Sequence, residues 1–114
     1  MEYCSDFRYD LKLGNIKEEE LAEIFANKKI EVKYDQLSLK TGNIFVEYES
    51  RGKKSGISKS EAEYYCYAFG DTFHLVKTQD LKDRCRKYLG TSRDTYGGDN
   101  NSSKGILLPI TELF

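Results

Sequence analysis

Tryptophan is absent from the chain, and histidine and proline each occur once among its 114 residues. The cysteines are Cys4, Cys66 and Cys85, an odd number with no C-x-x-C pair. A structural zinc site takes about four ligands at short spacings, and the lone His74 does not complete one. Buried free thiols are therefore expected at Cys66 and Cys85, on apolar helix faces. Long apolar runs are also missing, and none approaches the roughly 20 residues that cross a bilayer as a helix, so no membrane partner is expected. The opening Met1-Glu2-Tyr3-Cys4-Ser5-Asp6 lacks the basic-then-apolar pattern of a secretory leader, which points to a cytoplasmic protein. A large excess of either charge is missing too, since the formal net charge is −1. That excludes holding nucleic acid by bulk charge alone, but not a basic patch set beside an acidic site.

What is present suits one domain over residues 1–114, with an ordinary apolar share. Phe7, Tyr9, Leu11 and Leu13 alternate with polar residues, as in an edge strand or an extended arm. Lys17 to Ala26 reads as a helix with Leu21, Ile24 and Phe25 as its apolar stripe and Glu18 on the same side. Lys29 to Asp35 alternates as a strand. Ile30, Val32 and Tyr34 point one way, and Glu31, Lys33 and Asp35 the other. After a loop over 36–42, Asn43 to Ser50 forms a second strand with Phe45, Glu47 and Glu49 on one face. The connection suggests that the two strands pair antiparallel.

Ser58 and Glu61 form a capping-box pattern, which predicts a helix with Ala62, Tyr65, Cys66 and Phe69 buried and Gly70 at its end. Thr72 to Val76 reads as a short strand. A further helix is expected from Thr78, with Leu81, Cys85, Tyr88 and Leu89 inward. Residues 91–105 are rich in Gly, Ser, Asn and Asp and read as a long flexible loop. Ile106 to Leu113 is a last strand or tail, with Pro109 favouring an edge. Strands alternating with helices predict an α/β (α+β) fold, a small mixed sheet flanked by helices.

Acidic residues on these regular elements are the main oddity. Pairing the two strands as a hairpin would bring Asp35, Glu47 and Glu49 to one rim, with Glu18 facing the same place. Carboxylates so close repel one another unless a cation neutralises them. Mg²⁺ or Mn²⁺ takes such hard oxygen ligands, activates a water and stabilises charge on a phosphate. Lys33 shares the Asp35 face, and its ammonium could orient that water or meet the phosphate. The competing reading is a solvated strand face with Lys33 paired to Glu47 or Glu49 across the ladder. Next along the chain, Arg51, Lys53, Lys54 and Lys59 lie together with no acid among them. Gly52, Ser55 and Gly56 allow close backbone approach, and a helix starting at Ser58 would offer free N–H groups to a phosphate.

Asp10-Leu11-x-x-Gly14, Glu18-x-x-Leu21 and Ile30-Glu31-Val32-Lys33-x-Asp35 resemble the opening of small phage-type PD-(D/E)XK endonucleases. The likeness continues through Thr41-Gly42-Asn43-Ile44-Phe45-Val46-Glu47-Tyr48-Glu49, Arg51-Gly52-Lys53-x-Ser55-Gly56-Ile57 and Ser60-x-Ala62-x-Tyr64-Tyr65. It covers roughly residues 10–76. The resemblance implies a restriction-endonuclease-like core that hydrolyses DNA phosphodiester bonds with Mg²⁺ or Mn²⁺. On it, Glu18 resembles the helix acid, Asp35 the metal-binding Asp, and Glu47 the Glu of the E-x-K element. Glu49 departs from the pattern by standing where lysine is usual, and Lys33 would supply the missing cation. The other function class is a non-catalytic DNA-binding or regulatory protein that keeps the nuclease fold. Cutting both strands of a duplex with a one-site subunit needs two copies, so a homodimer is expected of a double-strand cutter.

Overall fold

The structure is a computed structural model and describes residues 10–35, 38–97 and 101–113. Its strands form two sheets where the sequence suggested one. The first sheet has the order β1-β6-β5-β2, with β1 at Asp10–Leu13, β2 at Ile30–Tyr34, β5 at Tyr64–Phe69 and β6 at Thr72–Lys77. β1 lies parallel to β6 and β2 parallel to β5, while β5 and β6 are an antiparallel hairpin. The second sheet is antiparallel throughout, with the order β4-β3-β8-β7. Its strands are β3 at Asn43–Ser50, β4 at Lys53–Lys54, β7 at Asp94–Gly97 and β8 at Ser103–Pro109. The architecture is thus mixed α/β, with helices α1 (Leu21–Asn27) and α3 (Thr78–Arg86) and a single turn α2 (Ser38–Thr41).

The first sheet is covered on both faces. On one side α1 buries Leu21 and Ile24 against Ile16 and Leu75, with Leu13, Ile30 and Cys66 packed around them. On the other side Tyr65, Tyr67 and Val76 meet Ile44, Val46, Ile106 and Leu108 of the second sheet and Leu81 and Cys85 of α3. Each fully buried Leu or Ile there contributes roughly 1.5–3 kcal/mol. Glu112 accepts hydrogen bonds from the Tyr88 hydroxyl and the Lys87 ammonium, tying the last turn to the end of α3. No described helix is long and apolar enough to cross a membrane.

Several expectations are corrected here. The run 64–69 is strand β5, not the middle of a capped helix. A central strand buried on both faces reads as a continuous apolar run, which periodicity alone does not separate from a helix. Tyr65, Tyr67 and Phe69 feed one core, Tyr64 and Cys66 the other, and Gly70 (φ +58°) with Asp71 makes the two-residue turn into β6. Cys66 is therefore a half-buried strand residue rather than a buried helix residue, whereas Cys85 is buried and lies on a helix; Cys4 falls outside the described residues. Burial pushes the two thiols up, to about 11 at Cys66 and about 12 at Cys85, where Glu112 adds to the effect.

Residues 91–105 contain β7 and the start of β8 rather than one long loop; 98–100 of that stretch lie outside the described residues. Pro109 ends an interior strand, where the missing N–H interrupts no ladder, and is not at a sheet edge. β1 is an edge strand as expected, though Phe7 and Tyr9 of its pattern fall outside the described residues. Phe25 and Leu89, read as inward, are exposed.

Candidate active site

β2 and β3 do not pair as a hairpin. They belong to different sheets, joined through the turn α2, so no ladder sets Lys33 against Glu47 or Glu49. The ion pairs among the described residues do not include Lys33. A different geometry brings three of the expected residues together. Lys33 and Asp35 at the end of β2 and Glu47 on β3 line one cavity of about 290 Å³ between the two sheets. Phe45, Ile57, Tyr65 and Tyr67 complete its apolar walls.

Local hydrogen bonds hold the two carboxylates. Asp35 Oδ1 accepts a hydrogen bond from the Ser38 backbone N–H at 3.2 Å, which holds the carboxylate at the entry to α2. Glu47 Oε2 accepts from the Ser55 hydroxyl at 2.7 Å. Ser55 precedes a short 3-10 turn, Gly56–Ser58, that packs directly on β3. Gly56 has φ +51°, and a Cβ there would stand 2.2 Å from the Glu47 carbonyl oxygen. Only glycine lets the turn come this close, and the approach seats Ile57 in the wall of the cavity.

The cavity also contains a group the sequence reading did not single out. Tyr65 and Tyr67 stack with ring centroids 6.1 Å apart. Burial first, and then the charges of Tyr65, Cys85, Asp35 and Glu31, hold the Tyr67 hydroxyl far above the usual tyrosine range. It therefore stays protonated. The period-two spacing of Tyr65, Tyr67 and Phe69 was the available signal, hidden by the helix reading of that segment.

Other expected site residues lie elsewhere. Glu18 is exposed on a 3-10 turn, Glu18–Glu20, because the α-helix begins only at Leu21; it does not line the cavity. A β-bulge between Glu47 and Glu49 breaks the strand alternation. Glu49 stands opposite Lys54 and Lys104 and is not in the cavity wall. Arg51, Lys53, Lys54 and Lys59 are all exposed. Arg51 and Gly52 form the turn of the β3–β4 hairpin, with φ +51° and +79°. No helix starts at Ser58, whose N–H is spent on the Ser55 carbonyl, so the expected phosphate site on a helix end is not formed.

The donor set suits a hard cation. Asp35 and Glu47 line the cavity, and the hydrogen bonds given above engage Oδ1 of the one and Oε2 of the other. Among the described residues no cluster of three His, Cys, Asp or Glu side chains is formed. Two carboxylates completed by water and phosphate oxygens is a coordination that Mg²⁺ accepts. Comparison with family models, curated proteins and solved structures finds no match to this chain.

Proposed function

We propose that this cavity is the centre of a metal-dependent endonuclease that hydrolyses DNA phosphodiester bonds, a divergent relative of the PD-(D/E)XK enzymes with their restriction-endonuclease-like core. The observation that carries the reading is the meeting of Lys33, Asp35 and Glu47 in one cavity although their strands are in separate sheets. Asp35 and Glu47 would hold Mg²⁺ or Mn²⁺. Such an ion, when bound, supplies Lewis-acid stabilisation of phosphate charge and a more acidic water. Lys33 is exposed at the cavity's edge, so its ammonium reaches a phosphate or the attacking water without desolvation. Tyr67, which also lines the cavity and is kept protonated by burial, adds no negative charge there.

The basic residues extend the site. Arg51, Lys53, Lys54 and Lys59 flank in the chain the Ser55 and Gly56 that contact Glu47. Exposed cations there would meet the DNA backbone and position it without reading sequence. The free thiols of Cys66 and Cys85 suit the reducing cytoplasm in which such an enzyme would act.

The test is cleavage of linear, nicked and branched DNA in Mg²⁺, Mn²⁺ and chelator. Asp35→Asn removes a ligand charge with almost no change of volume, and should abolish cleavage while the melting curve stays put. Undiminished cutting by this variant removes Asp35 from the site. A second reading, a DNA-binding protein without catalysis, draws on the absence of a third clustered metal ligand among the described residues. It predicts DNA binding with no cleavage in any metal.

A further inference from the structure

Among the described residues β2 is the longest edge strand of either sheet, at five residues against four for β1 and β7 and two for β4. Its outer side also carries unusual apolar exposure: Val32 is 44 % and Tyr34 73 % accessible. The Lys29 carbonyl accepts from the Tyr64 N–H, and the Asp35 N–H donates to the Ala68 carbonyl. In a parallel ladder these two bonds set the phase. The peptide groups of residues 29, 31, 33 and 35 face β5, and those of Ile30, Val32 and Tyr34 face outward.

We propose that this edge pairs with the same edge of a second copy of the chain, antiparallel and centred on Val32. In that register Val32 meets Val32, and Ile30 meets Tyr34 of the other copy. Every outward N–H and C=O of the strand finds a partner. The charges agree as well. Glu31 of one copy stands opposite Lys33 of the other, and Lys29 opposite Asp35, all on one face, while the apolar pairs share the opposite face.

Neighbouring registers fail for stated reasons. A slide of one residue turns outward groups against inward ones and forfeits the bonds. A slide of two residues sets Glu31 against Glu31 in one direction and Lys33 against Lys33 in the other. Charges on an edge strand ordinarily discourage pairing; here one two-fold register makes all of them attractive. Lys29 bonds Glu61 at 3.3 Å within the single chain, but both side chains are largely exposed, so the exchange costs little.

Sedimentation equilibrium on the full chain, without DNA or metal, tests the pairing up to roughly 1 mM. The wild type should dimerise. Val32→Pro removes an outward N–H and no bond to β5, so it should sediment as a monomer with an unchanged far-ultraviolet spectrum. Should that variant unfold, the charges decide. Glu31→Lys and Lys33→Glu should each raise the dissociation constant about tenfold, and the two together should restore it. A monomeric wild type overturns the proposal, as does a folded Val32→Pro dimer or a double variant no tighter than the singles. Because neither substrate nor metal is present, these outcomes leave the catalytic reading of the cavity to its own test.

Discussion

Two cavities of similar size lie on either side of a wall made by Val46 and Ile57, at about 290 and 320 Å³. The first holds Lys33, Asp35 and Glu47. The second, between β3 and α3, is lined by Tyr48, Lys82, Cys85, Arg86 and Leu89 and carries no carboxylate. Its one thiol, Cys85, is pushed up to about 12 by burial and by Glu112, which keeps it in the protonated, weakly nucleophilic form at neutral pH. Both cavities have a cation at hand, but only one has acids. What separates them is the end of β2: Lys33 and the following Asp35 line the first cavity, whereas α3 brings Lys82, Cys85 and Arg86 to the second and no acid.

Exchanging lysine for methionine on each side gives the sharpest contrast. Lys33→Met should lower single-turnover cleavage by about 10² or more, with the melting temperature nearly unchanged. Lys82→Met should leave turnover close to normal. If the two variants cut alike, the polar cavity has no special role and Lys33 leaves the site.

Next comes the turn that seats Ile57 in the shared wall. Gly56→Ala places a Cβ against the Glu47 carbonyl at a positive φ. It should cost about 3 kcal/mol in a urea melt, and cleavage should fall with it because Glu47 is displaced. A variant as stable as the parent would mean the turn yields easily and does not shape the cavity.

Acid offers a perturbation at a residue that lines neither cavity. His74 is buried, stacked on Phe69 at 4.4 Å, and lowered to about 4, first by burial and then by Lys12. The unfolded chain protonates it near pH 6.5 and the folded chain only near 4. The stability it contributes is thus complete above 6.5 and is lost as the pH falls from there toward 4. The loss is on the order of 2 kcal/mol. His74→Leu should flatten the stability profile over that window, read by urea melts at successive pH values; an unchanged slope assigns the acid sensitivity to other groups.

These contrasts also explain what was legible in the sequence. β2 and β3 were readable because each alternates, and the alternation correctly grouped Lys33 with Asp35. That grouping survived a wrong pairing: the residues meet across two sheets, not within a hairpin. β5 is harder to read because apolar residues on both faces fit a helical stripe as well as the period-two spacing of Tyr65, Tyr67 and Phe69. Glu49 was assigned by a two-residue count that a bulge interrupts, and no local residue type announces a bulge. Glu18 was placed by helical spacing, which does not reach it because the α-helix starts three residues later. Turn-forming residues made 91–105 look like a loop, although β7 gains its bonds from β8, a partner that composition does not reveal.

The smallest expected effect belongs to the basic hairpin, outside both cavities. Lys53 and Lys54 form β4, exposed and opposite Ser50 and Glu49. Across the ladder Lys54 thus faces an acid and Lys53 a serine, so the proposed phosphate contacts of the two need not be equal. Phosphate contacts release counterions, and each contact contributes about 0.9 to the slope of log affinity against log salt for duplex DNA. Replacing both lysines with alanine should reduce that slope by at most about 2 and weaken all sequences alike. Replacing Lys53 alone should account for more of the change than Lys54 alone, because Glu49 already offsets part of the Lys54 charge. Fluorescence anisotropy over a salt series on two unrelated duplexes, with chelator to prevent cleavage, reads both quantities. A slope equal to the parent's would place the DNA path on another surface and detach the basic hairpin from the acidic cavity.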